Sequence, residues 1–130
     1  MVCLDASFLV DFLRDREQAV SLMKSWRDSN ERVSIAAPAL VELASGAALA
    51  DSGGEMEIVD KLARNLVLLP LDREGALLAG KIDAELAQAG ETIGLVDVMI
   101  AAVAMEHGET LITRNLRHFN RISQLMSESY

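Results

Sequence analysis

Apolar and polar positions along the chain follow two periods. Short aliphatic and β-branched runs, Val2 to Leu4, Val33 to Ile35, Leu66 to Leu69 and Thr110 to Thr113, are each bounded by a turn or capping signal and predict buried strands. Longer stretches between them repeat at helical spacing. Asp15 to Arg27 carries Ala19, Val20, Leu22, Met23 and Trp26 on one face with charges opposite, and Asp72 to Ala89 repeats the pattern with Ala76, Leu77, Leu78, Ile82 and Leu86. Pro38 opens a helix after the second strand, where a missing N–H is harmless, and Asp51-Ser52-Gly53-Gly54 breaks the chain before the next helical segment. Strands alternating with helices imply an α/β fold of three layers, with a central, mostly parallel sheet covered on both faces. No repeat or linker divides the 130 residues, which predicts a single domain over residues 1–130.

Against this apolar background three carboxylates stand alone. Asp5 is the only charge from Met1 to Val10, Glu42 the only one in "VSIAAPALVELASGAALA" and Asp97 the only one in "TIGLVDVMIAAVAM". Asp5 ends the first strand, Glu42 lies about one turn into the helix after the second, and Asp97 opens an apolar helix. In open parallel sheets that is where ligands bind, in the crevice at the carboxyl ends of the strands. Any one of the three could instead cap a helix or pair with a basic side chain, but an uncompensated carboxylate in apolar surroundings is unfavourable. Three together repel one another unless they are protonated or neutralised by a cation. Oxygen donors with no His/Cys cluster select a hard ion, Mg²⁺ or Mn²⁺, over zinc. An ion held this way binds phosphate oxygens and lowers the pKa of a bound water, which points to phosphodiester hydrolysis.

Composition narrows the picture further. Hydrophobic residues make up 51% and charged residues 25%, which excludes a disordered chain, and no apolar run reaches membrane-spanning length. The one cysteine, Cys3, sits between Val2 and Leu4 as a small buried hydrophobe, and together with the lack of a secretory signal it predicts a reducing, cytoplasmic setting. The formal net charge of -8 argues against a polyanionic partner, yet Thr110 to Ser127 holds Arg114, Arg117, His118 and Arg121 and no carboxylate. A nucleic acid could dock on that tract. No Ser/Cys and His set is arranged for acyl chemistry, and Gly53-Gly54 lacks the Gly-Lys-Ser/Thr of a nucleotide-binding loop.

In order and spacing, "VCLDASFLVDFL", "APALVELASG" and "IGLVDVMIAAVAMEHGETLITRNLRHFNRI" resemble the PIN domain, and most closely the VapC toxins of type II toxin–antitoxin pairs. The resemblance covers nearly the whole chain and is most specific from Asp97 to Phe119. It implies a Mg²⁺- or Mn²⁺-dependent endoribonuclease in which Asp5, Glu42 and Asp97 hold the metal. Ser7 matches the small hydroxyl or amide position after the first acid, where it would bond a ligand water or the scissile phosphate; a helix cap is the plainer alternative. Asn115 falls where many members have a fourth acid. It can orient a water but adds no charge, which weakens any second metal. Thr113 supports that strand end, and Arg114, Arg117 and His118 stand close enough to contact phosphate. The resemblance also implies a VapB-like antitoxin that inserts an arginine or bulky side chain into the acidic crevice, a homodimer assembling further with the antitoxin, and DNA contact only through it.

Three rivals bear on this reading. A response-regulator receiver needs an acidic pair after the first strand and a late lysine, but Ala6 follows Asp5 and the last lysine is Lys81. A haloacid-dehalogenase-like phosphatase needs a second Asp two residues after Asp5, where Ser7 stands. A PIN-fold binding module without hydrolysis stays open, because Asn115 replaces the fourth acid.

Overall fold

In the computed structural model, which describes residues 1–50 and 52–130, the chain forms five strands and seven helices in the order β1 (Val2–Leu4), α1 (Ala6–Leu13), α2 (Glu17–Asp28), β2 (Val33–Ala36), α3 (Ala37–Ala50), α4 (Glu55–Arg64), β3 (Val67–Leu69), α5 (Arg73–Gln88), α6 (Leu95–Glu106), β4 (Thr110–Ile112), α7 (Leu116–Phe119) and β5 (Ser127–Glu128). Asp51, first residue of the expected break, lies outside the described residues, while Gly53 and Gly54 take φ of 90° and 88°, a conformation that suits glycine.

The sheet runs β3-β2-β1-β4-β5 and every pair is parallel. Val2 pairs with Val33 on one side and Thr110 on the other, so β1 is central. From β1 the chain steps outward through β2 and β3, then returns across the sheet to β4. The right-handed crossover rule therefore places α1 to α4 on one face and α5 and α6 on the other. The reversal of direction opens a crevice between the carboxyl ends of β1 and β4.

All four predicted strands form. β5 is the addition: two polar residues paired at the sheet edge have no apolar run to announce them. The α5 face also differs from its sequence pattern. Asp72 caps the helix by accepting from the Gly75 amide, and the stripe facing the core is Gly75, Ala79, Ile82 and Leu86, while Leu77 is 66% exposed. In α2, Ala19 alone is fully buried, and Asp15 lies outside the helix in a left-handed turn at φ 56°.

The core is built on Leu4, Phe8, Leu9, Ile35, Val98, Ile100, Val103, Leu111 and Phe119. Cys3 lies within it, and burial pushes its thiol up to about 12, so it is a packing residue and not a nucleophile. At the amino end of the strands the buried Glu109 accepts from the Ser34 hydroxyl, with the Arg32 guanidinium 3.5 Å away. No described helix is long and apolar enough to cross a membrane.

The short α7 carries residues expected at the crevice and is anchored by the fully buried Phe119. Phe119→Ala is expected to lower the unfolding free energy by about 3–5 kcal/mol, measured by urea denaturation; a loss below about 1 kcal/mol would mean that the residue is not the anchor.

Candidate metal centre

The first carboxylate owes its position to the place where a strand turns directly into a helix. Asp5 follows β1 with extended backbone (φ -86°, ψ 170°) and its side chain accepts from the Ser7 amide, capping α1. Its second oxygen accepts from the Thr113 hydroxyl at the end of β4. Asp5 is therefore both a cap and a crevice residue: only 3% exposed, yet one of the residues lining the cavity. Thr113 is fully buried and, besides donating to Asp5, accepts from the Asn115 amide at 2.9 Å.

Glu42 reaches the same cavity from α3 and Asp97 from the first turn of α6. Asp97 is not a cap; Gly94 precedes the helix with no side-chain cap bond, and the His118 Nδ1–H donates to Asp97 Oδ2 at 3.3 Å. The cavity is about 290 Å³ and is lined by Asp5, Ala6, Ser7, Val10, Glu42, Leu43, Asp97 and Asn115, with no lysine or arginine among them.

Electrostatics record the crowding. Burial, then the charges of Asp97 and Asp5, hold the Glu42 carboxyl above its ordinary value. The Asp97 carboxyl is likewise raised, by burial first and also by Asp5, against the lowering effect of its bond to His118. Among the described residues no three acidic, histidine or cysteine side chains draw together into a closed ligand shell. The carboxylates instead face one space from separate walls. That donor set, all oxygen and anionic around a roomy cavity, suits a hard divalent cation that keeps several of its waters and takes only a few protein carboxylates.

The remaining predicted residues divide. Ser7 and Asn115 line the cavity. Ser7 does not cap α1, because Asp5 does; its oxygen accepts from the Arg114 amide at 3.0 Å and its own proton stays available. Arg114 does not line the cavity: its guanidinium donates to Asp11 Oδ1 at 2.7 Å. Arg117 is exposed on α7. Two further residues, Asp11 and Tyr130, complete the surroundings of Arg114. Asp11 is buried in α1, one residue beyond the apolar stretch in which Asp5 stood alone, so a longer window would have found it.

A family model described as the PIN domain matches residues 2–125. The chain belongs to the PIN domain family. Within it the chain falls among VapC-type PIN domains: it is 35% identical, over 104 residues covering 78% of each chain, to the tRNA(fMet)-specific endonuclease VapC of Salmonella typhimurium. It is 25% identical over 128 residues, 98% of this chain and 96% of the other, to Ribonuclease VapC2 of Haemophilus influenzae. VapBC2 of Rickettsia felis, solved bound to a promoter DNA fragment, matches with a TM-score of 0.89 at 23% identity, covering 100% and 99% of the two chains. The DNA-bound VapBC of Salmonella typhimurium matches at 0.86 and 28% identity, covering 98% and 96%. The α/β architecture expected from the sequence is thus the PIN fold.

The raised carboxyl values have a consequence for stability. A folded chain that holds these protons more tightly than the unfolded chain gains stability at low pH and loses it as pH rises through the raised values. Glu42→Gln removes one of the repelling charges. In the metal-free protein it is expected to raise the melting temperature at pH 7 by about 1–2 °C, a small gain because solvent screens the half-exposed group. The gain should vanish near pH 4. Thermal unfolding in EDTA across that range checks this, and a lower melting temperature at pH 7 would show that Glu42 is stabilised by a partner.

Proposed function

We propose that this VapC-type PIN domain is a divalent-metal-dependent endoribonuclease, the toxin of a toxin–antitoxin pair. The observation that carries the reading is the convergence of Asp5, Glu42 and Asp97 on one cavity free of lysine and arginine at the carboxyl end of a parallel sheet. The names of the relatives, endonuclease and ribonuclease, support the substrate class.

Asp5, Glu42 and Asp97 would hold Mg²⁺ or Mn²⁺, with Asn115 assisting through its carboxamide oxygen. When bound, the ion supplies Lewis-acid polarisation of the scissile phosphate and lowers the pKa of water at the site. The protein residues provide order. Asp5 is fixed by two donors on two different elements, so its oxygens do not reorganise as charge develops. His118 orients Asp97. The Ser7 hydroxyl, its oxygen already bonded to Arg114, can donate to a phosphate oxygen. Arg117, exposed on α7 two residues after Asn115, would provide positive charge for the RNA backbone. Hydrolysis leaves a 5′-phosphate and a 3′-hydroxyl.

The partner reading rests on a second surface. An apolar groove of about 350 Å³, walled by Val10, Leu13, Leu43, Ala47, Ile58 and Val59, shares Val10, Glu42 and Leu43 with the acidic cavity. It suits an antitoxin segment whose apolar face fills the groove while a basic side chain reaches Glu42. Two of the solved relatives are VapBC complexes on DNA. By the family resemblance, the chain would form a homodimer and meet DNA only through its antitoxin.

The test is cleavage of a defined panel of single-stranded RNAs with Mn²⁺, Mg²⁺ or EDTA. Wild type is expected to cut with either ion and not in EDTA, and Asp97→Asn to lose at least about a hundredfold in rate. Full activity of Asp97→Asn would remove the residue from the site. An inactive wild type that still binds RNA would favour a non-hydrolytic binding module, a reading that the uncharged Asn115 keeps in play.

A further inference from the structure

Three side chains outside the crevice form a connected set that the proposed chemistry does not use. Asp11 lies on α1 one turn beyond Ser7, with its side chain 9% exposed. One of its oxygens accepts from the Arg114 guanidinium at 2.7 Å and the other from the Tyr130 hydroxyl at 2.6 Å. The Tyr130 hydroxyl also lies 3.3 Å from the Ser7 carbonyl, and its ring packs edge-on against Phe8 with centroids 4.8 Å apart. Burial and the Asp11 carboxylate push the Tyr130 phenol upward, so it stays a donor.

Arg114 connects this set to the cavity. Its amide donates to Ser7, and the next residue, Asn115, is tied back to Thr113. The guanidinium commits one of its N–H donors to a largely buried carboxylate, and drawing it away from Asp11 would leave that carboxylate without its charged partner, which is strongly unfavourable. We propose that Asp11, Arg114 and Tyr130 form a latch that clamps the 113–115 segment across α1 and so positions Asn115 and Ser7 at the crevice. Arg114 is then a positioning residue and not a phosphate ligand. The catalytic part of this assignment rests on the nuclease reading of the same site; the latch itself does not.

The two roles of Arg114 predict opposite behaviour for its partner. If Arg114 met phosphate, Asp11→Asn would free it and lower KM for RNA, while Arg114→Gln would raise KM. A latch predicts that Asp11→Asn, Arg114→Gln and Tyr130→Phe all lower kcat, by roughly tenfold for the two charge changes and less for Tyr130→Phe, with KM nearly unchanged. In an Asn115→Ala/Ser7→Ala background, where neither positioned side chain remains, Tyr130→Phe should add little. Tyr130→Phe keeps the ring against Phe8, so its fold is expected to survive, and a thermal melt confirms this.

Amide hydrogen exchange gives a readout independent of cleavage. Arg114 and Asn115 should exchange roughly tenfold faster in Asp11→Asn, while Leu111 stays protected. Unchanged exchange at Arg114 and Asn115, or opposite KM shifts for Asp11→Asn and Arg114→Gln, overturns the latch. A wild type that cuts no RNA overturns the nuclease reading instead, and the exchange result still decides the latch.

Discussion

The Asp5 carboxylate is the joint on which the candidate site turns. Its two oxygens are held by the Ser7 amide at the start of α1 and the Thr113 hydroxyl at the end of β4, so one buried side chain ties the central strand, the first helix and the neighbouring strand together. A carboxylate buried this way needs donors on the protein side, and those donors fix the wall of the crevice. Glu42 and Asp97 then face a charge that cannot move away. Their raised carboxyl values follow from burial and from that proximity, and a bound cation would offset the repulsion.

The same joint relates fold to chemistry. Because every strand is parallel, all the carboxyl ends lie on one edge, and because the chain reverses direction across β1, that edge opens a crevice instead of being capped by a crossover. The short α7, anchored by Phe119, brings His118 onto Asp97. The apolar groove between α1, α3 and α4 runs into the acidic cavity through Val10, Glu42 and Leu43, so a partner filling the groove lies beside the proposed catalytic groups.

Much of this was legible in the sequence. Apolar runs located β1 to β4, and the isolation of Asp5, Glu42 and Asp97 singled out residues that do share a cavity. What stayed hidden depends on tertiary contact. β5 is two polar residues whose pairing comes from β4 and not from burial. Leu77 lies at helical spacing but faces solvent, because α5 packs against α6 and buries the stripe of Gly75, Ala79, Ile82 and Leu86 instead. The ion pair of Arg114 with Asp11 is invisible along the chain because the two lie 103 positions apart. Asp5 fits both a cap and a site residue in the sequence, and the folded chain makes it a cap that also lines the cavity.

The most direct test of the central claim, that the three carboxylates form one cation site, is anomalous diffraction at the manganese edge from crystals soaked in Mn²⁺. A peak bounded by Asp5, Glu42 and Asp97, absent from Asp97→Asn crystals, is the predicted result. Fully ordered carboxylates with no peak among them, or a peak seated elsewhere, would contradict it.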